Sequence, residues 1–390
     1  MLKITYPFCF DKIPAFFIDR VNRFVVKIKI KNGFSSKDRI YLAYLPNPGR
    51  LWELLLEGTE LLLVPNTGEA KLPYTVLACK KGKNYVLLHT HLTNQVISTL
   101  ITQQKIAFYR EFEVEKTEPS YADGRFDLLL RNLISQERRV LEIKTCTLFG
   151  KKIAMFPDAE TKRGQKHLLE LLNLSQEGYQ AEMLFVVMNP DIEYFLPAYH
   201  IDFGFAETFL KVKNQISLRA VALGWDEGFT EVKEVKHVNI PFNLLEKELK
   251  DQGTYLLVFK IDRWVNLSTN QKNFTIKPGF YVYVGSAMQG LEARIKRHLR
   301  KHKKPHWHID YLLAQATAIL PIPIRASEKL ECAIASDLFK LSEEVVSGFG
   351  STDCRCLSHL FCFSSSPLKN SAFQDLIIKY RIDRLCSYLK

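Results

Sequence analysis

The chain is 390 residues long, 47% apolar, 25% charged and 12% aromatic, which excludes a disordered or fibrous polymer and leaves room for two or three domains, each with its own core. Lys and Arg number 54 against 42 Asp and Glu, a net charge of +12, so a polyanion such as nucleic acid is favoured as partner. No stretch approaches the ~18 unbroken apolar residues of a membrane span, and MLKITYPFCFDKIPAFF, interrupted by Asp11, Lys12 and Pro14, does not read as a signal peptide, so a cytoplasmic protein without membrane contact is expected.

Charge is unevenly placed. Residues 1–90 carry a net +7, residues 91–235 a net −4 and residues 236–390 a net +9, a pattern of binding flanks around a working centre. The first block offers five strand-like runs: FVVKIKIK near Val25, RIYLAYL near Tyr41, TELLLVP near Leu61, YTVLACK near Val76 and YVLLHT near Val86. Gly33, Gly49, Gly58, Gly68 and Gly82 separate them. Five short strands with Gly-marked turns suit an OB-fold-like barrel over residues 1–90, although other small barrels fit the same pattern. Asn47, Gly49 and Arg50 form a polar loop suited to phosphate contact, the alternative being an Arg50 that pairs Glu53 to hold the turn. Phe24, Tyr41, Tyr44 and Trp52 interleave with this basic region as stacking platforms would, with a place in the core as the plainer expectation.

NQVISTLITQQ has helical apolar spacing and leads into a second domain, residues 91–240. RFDLLL and RVLEIKTCTL follow as strands, KHLLELLNLSQEG as a helix stopped by Gly178, and MLFVVM as a buried strand ended by Pro190, which makes an α/β layer. Asp127 lies in one strand, and Glu142 and Lys144 project from one face of the next, giving D-x14-E-x-K. Two carboxylates offer hard oxygen ligands to Mg2+ or Mn2+, and the adjacent ammonium can stabilise a nucleophilic water or the charge on a pentavalent phosphate. Ordinary decoration of a strand's solvent face is the alternative.

Around this pattern stand AYLPNPGRLWELL at 43–55, LPYT at 72–75, FPDAETKRGQKHLLEL at 156–171 and FVVMNPDIEYFLPA at 185–198. Together these runs closely resemble the sugar fermentation stimulation protein A family over roughly residues 1–240. The resemblance implies an OB barrel, a PD-(D/E)XK nuclease-like α/β domain and DNA binding, with Asp127 and Glu142 as metal-binding acids and Lys144 as the motif lysine. It further implies a phosphate-supporting Gln165 on the following helix, with Arg163 and His167 nearby; an exposed helix position is the plain reading of Gln165. A helical acid such as Glu111 could complete the metal shell, but FYREFEVEKTE offers four acids and no way to choose among them.

The charged stretch 226–252 changes character at Pro241, and a third domain is expected over 250–390. TYLLVFKI and FYVYVG read as strands, LEARIKRHLRKHKK as a basic helix and ECAIASDLFKL as a second helix. Arg294, Lys296, Arg297, Arg300, Lys301, Lys303 and Lys304 crowd the basic helix, so phosphate contact is expected there, with Lys296, Arg297 and Arg300 as DNA-binding candidates. With KPHWHIDYLL at 304–313 and GFGSTDCRCLSHLF at 348–361, this part resembles a GIY-YIG-like α+β family of uncharacterised function. The resemblance implies Tyr255, Tyr283 and Arg294 around an ion held by Glu331; apart from it, His298 is read as an aid to Arg294 at the phosphate, the alternative to a metal role for that histidine. GTY and YVG depart from the usual wording, and 27 residues separate their tyrosines, so strand pairing is expected more firmly than activity.

Eight cysteines, at 9, 79, 146, 332, 354, 356, 362 and 386, are scattered, most of them in apolar runs, which fits reduced buried thiols better than a disulfide framework. Cys354, Cys356 and His359, with the histidines at 298, 302, 306 and 308, invite a zinc reading, but paired C-x2-C knuckles are missing and buried thiols with hydrogen-bonded histidines are the competing explanation. The combined expectation is a DNA-binding protein and metal-dependent nuclease. A non-catalytic DNA-binding regulator of sugar metabolism genes is the rival, and RNA is the alternative polyanion.

Overall fold

Alternating apolar positions close the first part of the chain into a barrel in the computed structural model, which describes residues 11–30, 39–67, 70–121, 124–268 and 273–389; the elements and counts given are those of the described residues. Strand β1 (Ile13–Asn22) pairs antiparallel with β2 (Val25–Ile30). β2 pairs with β3 (Arg39–Tyr44), and β1 also pairs with β4 (Glu60–Pro65). β5 (Tyr74–Lys81) pairs with β4, and a parallel β3–β5 pairing through Ala43 and Tyr44 closes the ring. The order 1-2-3-5-4-1 is that of an OB barrel, whose closure removes sheet edges.

The five strands of the ring are not the five expected. YVLLHT contributes β6 (Asn84–Leu87), which pairs antiparallel with β5 outside the ring, and the ring begins instead with Ile13–Asn22, which reads poorly as a strand. Pro14 stands near its start, and register slips between Phe17 and Asp19 and between Arg20 and Asn22 break the alternation after the buried Ala15 and Phe17. Bulges of this kind let one strand serve two neighbours while hiding the period-2 signal. Cys9, Gly33 and Gly68 lie outside the described residues.

Helix α1 (Thr93–Thr102) leads from the barrel to a six-stranded mixed sheet. Its edge strand β7 (Phe112–Thr117) is followed by the short pair β8 (Ser120–Tyr121) and β9 (Gly124–Arg125). β10 (Leu128–Asn132) and β11 (Arg138–Cys146) run antiparallel with Leu128 opposite Leu141, which brings Asp127, one residue ahead of β10, beside Glu142. β12 (Leu148–Phe149) and β13 (Ile153–Phe156) belong to a small second sheet. α2 (Lys162–Gln176) then crosses to β14 (Gln180–Val187), parallel to β11. Thr161 caps α2 by accepting from Gly164 N, and Gly178, at φ +91°, takes the left-handed turn that ends it. β15 (Tyr194–Pro197) joins the small sheet, α3 (Phe203–Val212) leads to β16 (Ser217–Trp225), and β17 (Val232–Val238) closes the far edge. The charged stretch after residue 226 is thus partly a sheet strand.

The chain divides into two compact units between Phe242 and Asn243, within the short helix α4 (Phe242–Glu248). In the second unit β18 (Gly253–Ile261) is a buried interior strand of a five-stranded antiparallel sheet. β19 (Val265–Ser268) and β20 (Asn273–Ile276) form a separate antiparallel pair, so the long separation between the two tyrosines is an inserted ribbon. β21 (Gly279–Ala287) pairs with β18 as expected. α5 (Leu291–Leu299), α6 (His308–Leu313), β22 (Thr317–Arg325), α7 (Glu331–Leu341), β23 (Glu344–Val345), β24 (Leu360–Phe363) and α8 (Ser371–Arg381) complete the unit. None of the described helices is long and apolar enough to cross a membrane.

Glu248 is 1% exposed and accepts from the Arg384 guanidinium, so the second unit begins before the expected residue 250. A fragment starting at Asn243 is expected to melt cooperatively, and one starting at Gly253 to be destabilised by about 3–5 kcal/mol, because Arg384 then loses its buried carboxylate and keeps only the exposed Glu328. Thermal unfolding of the two fragments checks this. Equal melting temperatures would mean that the ion pair contributes nothing.

Candidate active sites

Antiparallel pairing of β10 with β11 sets Asp127, Glu142 and Lys144 at one sheet end, and α1 and α2 cover them. Asp127 Oδ2 accepts from Ile143 N at 2.6 Å and Oδ1 from the Asn94 amide of α1 at 2.6 Å. Burial first, and the Glu142 charge second, push its carboxyl up to about 6. Glu142 is 3% exposed; its Oε1 accepts from Lys144 Nζ at 2.6 Å and meets His167 Nδ1 from α2. Burial alone would raise this carboxyl too, but His167 and Lys144 outweigh it and hold Glu142 below its ordinary value. Arg163 Nε donates to His167 Nε2 at 3.2 Å, which leaves the ring proton on Nδ1 to face Glu142. Glu142 Oε2 is buried and has no hydrogen-bond partner among the described residues. A half-buried carboxylate driven up and a buried one with an unmatched oxygen make a place that a cation would stabilise.

Sequence reasoning found the three motif residues and named His167 only as nearby; Asn94 carried no signal, since an Asn in the first turn of a helix usually caps it. Gln165 is neither free nor exposed: its amide donates to Asp202 Oδ1 at 2.9 Å, and Asp202 also caps α3 by accepting from Phe205 N. Of the four acids in FYREFEVEKTE, Glu113, Glu115 and Glu118 pair with Arg131, Arg138 and Arg125, and Glu111 is exposed.

The 47–50 loop is built from within. Asn47 is 5% exposed and its Oδ1 accepts from Gly49 N at 3.0 Å, while Arg20 donates to the carbonyls of Asn47, Gly49 and Arg50. A Cβ on Gly49 would stand 2.0 Å from Asp158 Oδ2. The close approach that this glycine permits is therefore to the segment before α2. Arg50 lies over the Trp52 ring at 4.9 Å. None of the four aromatics is in the core: Phe24 is exposed, and Tyr41, Tyr44 and Trp52 are half-buried, because the ring's interior is already filled by Val26, Ile28, Ala43 and Leu45.

In the second unit Tyr255, Tyr283, Arg294 and Glu331 line one cleft of about 650 Å³. Tyr255 stands opposite Gly285 across the β18–β21 pairing, and a Cβ at Gly285 would lie 2.4 Å from the tyrosine hydroxyl, so the glycine of YVG makes room for Tyr255. That hydroxyl is 2.9 Å from His298 Nε2, and His298 Nδ1 is 3.2 Å from Asp310 Oδ1. Burial raises both tyrosine hydroxyls above their ordinary value and pushes His298 down to about 4, so at neutral pH Tyr255 donates to a neutral imidazole. His298 serves Tyr255, not Arg294 as expected; Arg294 stacks 4.2 Å over Trp307. Glu331 accepts from Ser286 Oγ and lies 3.1 Å from His359 Nδ1, not aligned as a straight hydrogen bond.

The basic helix is shorter than expected. α5 ends at Leu299 and Arg300 turns extended, because like charges four apart oppose another turn and Lys303 folds back to donate to the His298 carbonyl. Arg297 Nη2 is 2.9 Å from Asp310 Oδ2, and Lys296 Nζ is 2.5 Å from Glu292. Arg300, Lys301 and Lys304 are exposed.

Asp310 also accepts from the N–H groups of His306 and Trp307. Burial, which opposes ionisation, is outweighed by Arg297 and these donors, and its carboxyl lies well below the usual range. A depressed folded-state pKa means that the unfolded chain takes up the proton first. The stabilisation is thus whole above the ordinary carboxylate pKa of about 4 and fades as pH falls below it. Asp310→Asn is expected to cost about 3–5 kcal/mol at neutral pH and progressively less in acid. Denaturant unfolding across pH checks this; a gap that stays constant into acid would refute the assignment.

Three families match consecutive parts of the chain: the SfsA N-terminal OB domain at residues 18–88, the sugar fermentation stimulation protein RE domain at 91–239, and the domain of unknown function DUF123 at 254–381. The sugar fermentation stimulation protein homolog of Methanosphaera stadtmanae is 37% identical over 198 residues, 49% of this chain and 78% of that one. The homolog of Caldanaerobacter subterraneus subsp. tengcongensis is 32% identical over 226 residues, 52% of this chain and 94% of that one. A solved structure of Pyrococcus furiosus SfsA in complex with Ca2+ is similar with a TM-score of 0.53 and 26% identity, covering 59% of this chain and 96% of that one.

Proposed function

The chain belongs to the sugar fermentation stimulation protein family and carries a GIY-YIG-like unit after the family's two domains, and from that premise we propose that it binds DNA and hydrolyses phosphodiester bonds with Mg2+ or Mn2+. The observation that carries this is the unmatched Oε2 of Glu142, buried beside Asp127. Both are hard oxygen ligands of the type these ions take, and the P. furiosus relative was solved with Ca2+, an ion of the same class. An ion held by Asp127 and Glu142 supplies positive charge for the phosphate and acidifies a water. Lys144, 13% exposed in its side chain, faces the developing charge, while His167 and Arg163 keep Glu142 turned inward.

The cleft of the second unit is read as a centre of the same reaction class. Arg294 would pair with phosphate, Glu331 would hold a second ion, and the Tyr255 hydroxyl, held by His298 Nε2, would orient the attacking water. Asp310 fixes the His298 tautomer that makes this possible. The OB barrel, through Arg50 and the exposed Phe24, and the basic residues after α5 hold the substrate, while the buried Asn47 shapes the loop that carries Arg50.

Incubation of the full chain with single-stranded, duplex and branched DNA and with matching RNA, with and without Mg2+ or Mn2+, tests the reading. Metal-dependent cleavage of DNA is expected. DNA binding without cleavage under any metal would favour the non-catalytic regulator, and cleavage confined to RNA would replace the substrate.

A further inference from the structure

Outside the two sites already described, the second unit brings together four side chains that no proposed step uses. Cys332 opens α7, and Cys354, Cys356 and His359 come from the loop between β23 and β24. One ligand atom from each lies within 4.8 Å of every other. Cys354 Sγ and His359 Nε2 are 3.4 Å apart. Zn–S and Zn–N bonds of about 2.3 and 2.05 Å at the tetrahedral angle would set such a pair about 3.6 Å apart. We propose that Cys332, Cys354, Cys356 and His359 form a tetrahedral zinc site that ties α7 to this loop.

The surroundings are built for fixed ligands. His359 is 2% exposed, its backbone N–H donates to Phe349 O at 2.8 Å and its carbonyl accepts from Val284 N of β21 at 2.9 Å. Ser358 Oγ donates to Val346 O at 2.6 Å and accepts from Leu360 N at 2.9 Å, closing the loop on itself. Gly350, at φ +69°, packs so closely that a Cβ there would meet Tyr283 Cε2 at 3.1 Å and His359 Cβ at 3.3 Å. Protein contacts thus hold the loop's backbone, which presents two thiols and an imidazole toward Cys332. Three sulfurs and one nitrogen select zinc over Mg2+, Ca2+ or Mn2+, which prefer oxygen. On binding, the three thiols release their protons to solvent and the imidazole coordinates through Nε2.

With Nε2 on the metal, His359 turns Nδ1 toward Glu331, the pairing of carboxylate, histidine and zinc that fixes an imidazole and its outer partner together. Cys332 is the next residue after Glu331. Zinc would thus hold Glu331 from both sides, and the role of His359 toward it is one of positioning. The zinc claim itself does not depend on Glu331 binding an ion or on either site being active.

The test uses the full chain, purified under reducing conditions without chelator, with zinc counted by elemental analysis and by release on thiol modification. One equivalent per chain is expected, removal by chelator should lower the melting temperature of the second unit, and Cys332→Ser and Cys354→Ser should each lose the ion. Cys386→Ala, outside the cluster, should keep it. Should the serine variants fail to fold, Co2+ substituted into the natural chain decides, since a tetrahedron of three sulfurs and one nitrogen gives intense visible bands with thiolate-to-cobalt charge transfer. No bound zinc, a disulfide among the three cysteines, a full equivalent retained in Cys332→Ser, or an octahedral cobalt spectrum would each overturn the proposal.

Discussion

Glu142→Gln is expected to abolish cleavage, lowering the rate by ~10³-fold or more, while leaving DNA affinity nearly unchanged. The substitution keeps the shape of the side chain but removes the charge that faces Lys144 and the oxygen that has no protein partner. Asp127→Asn should act likewise, since its carboxylate is held in place by Ile143 N and Asn94 and not by the substrate. The two variants share one ion, so the double variant should be no worse than either single one. Calorimetry with Mn2+ separates the causes: binding at this site should disappear in both variants. Retained Mn2+ binding at full stoichiometry with lost cleavage would make Glu142 a proton-transfer group and refute its role as ligand. His167→Ala, by contrast, frees Glu142 to rotate, so weaker metal affinity and a smaller rate loss are the expected pair.

DNA affinity is expected to fall steeply with salt, because contacts to phosphate release condensed counterions and log K drops by about 0.9 per contact per log unit of salt on duplex DNA. Replacing exposed Arg300, Lys301 and Lys304 together by Gln should make that slope shallower by about 2.7, three contacts' worth. Lys296, already beside Glu292, should matter less. Arg297→Gln should act chiefly on stability through Asp310 and the Trp307 ring. Binding measured over a salt series by fluorescence anisotropy reads both effects. A flat dependence in the natural chain would show that the +12 surface does not meet the nucleic acid.

The sequence could be read furthest where local chemistry and periodicity coincide. D-x14-E-x-K identified its three residues because strand alternation puts Glu142 and Lys144 on one face, and α2 showed itself through its apolar spacing and the stop at Gly178. Reading failed where a strand is bulged, as in Ile13–Asn22, and where charge suggested a longer helix than like-charge repulsion allows after Leu299. It also failed for the cysteines: Cys79, Cys146 and Cys362 are buried as expected, but Cys332 is exposed and Cys354, Cys356 and Cys386 are half-buried.

The sequence by itself determined the order of a barrel, an α/β layer and a second strand-rich unit, and it singled out the carboxylate and lysine group of the first candidate site. These follow from composition, period and short motifs, each of which acts over a few neighbouring residues; the tyrosine, arginine and glutamate set of the second candidate site came from the family resemblance. Tertiary structure alone decided which distant groups meet: Asn94 and His167 on the acids, His298 on Tyr255 instead of Arg294, Asp158 against Gly49, and Cys332 beside the C-x-C-x2-H run that begins at Cys354. A hydrogen bond or a ligand shell is fixed by separation in space, to within tenths of an ångström. Spacing along the chain carries no record of that once helices and strands have packed.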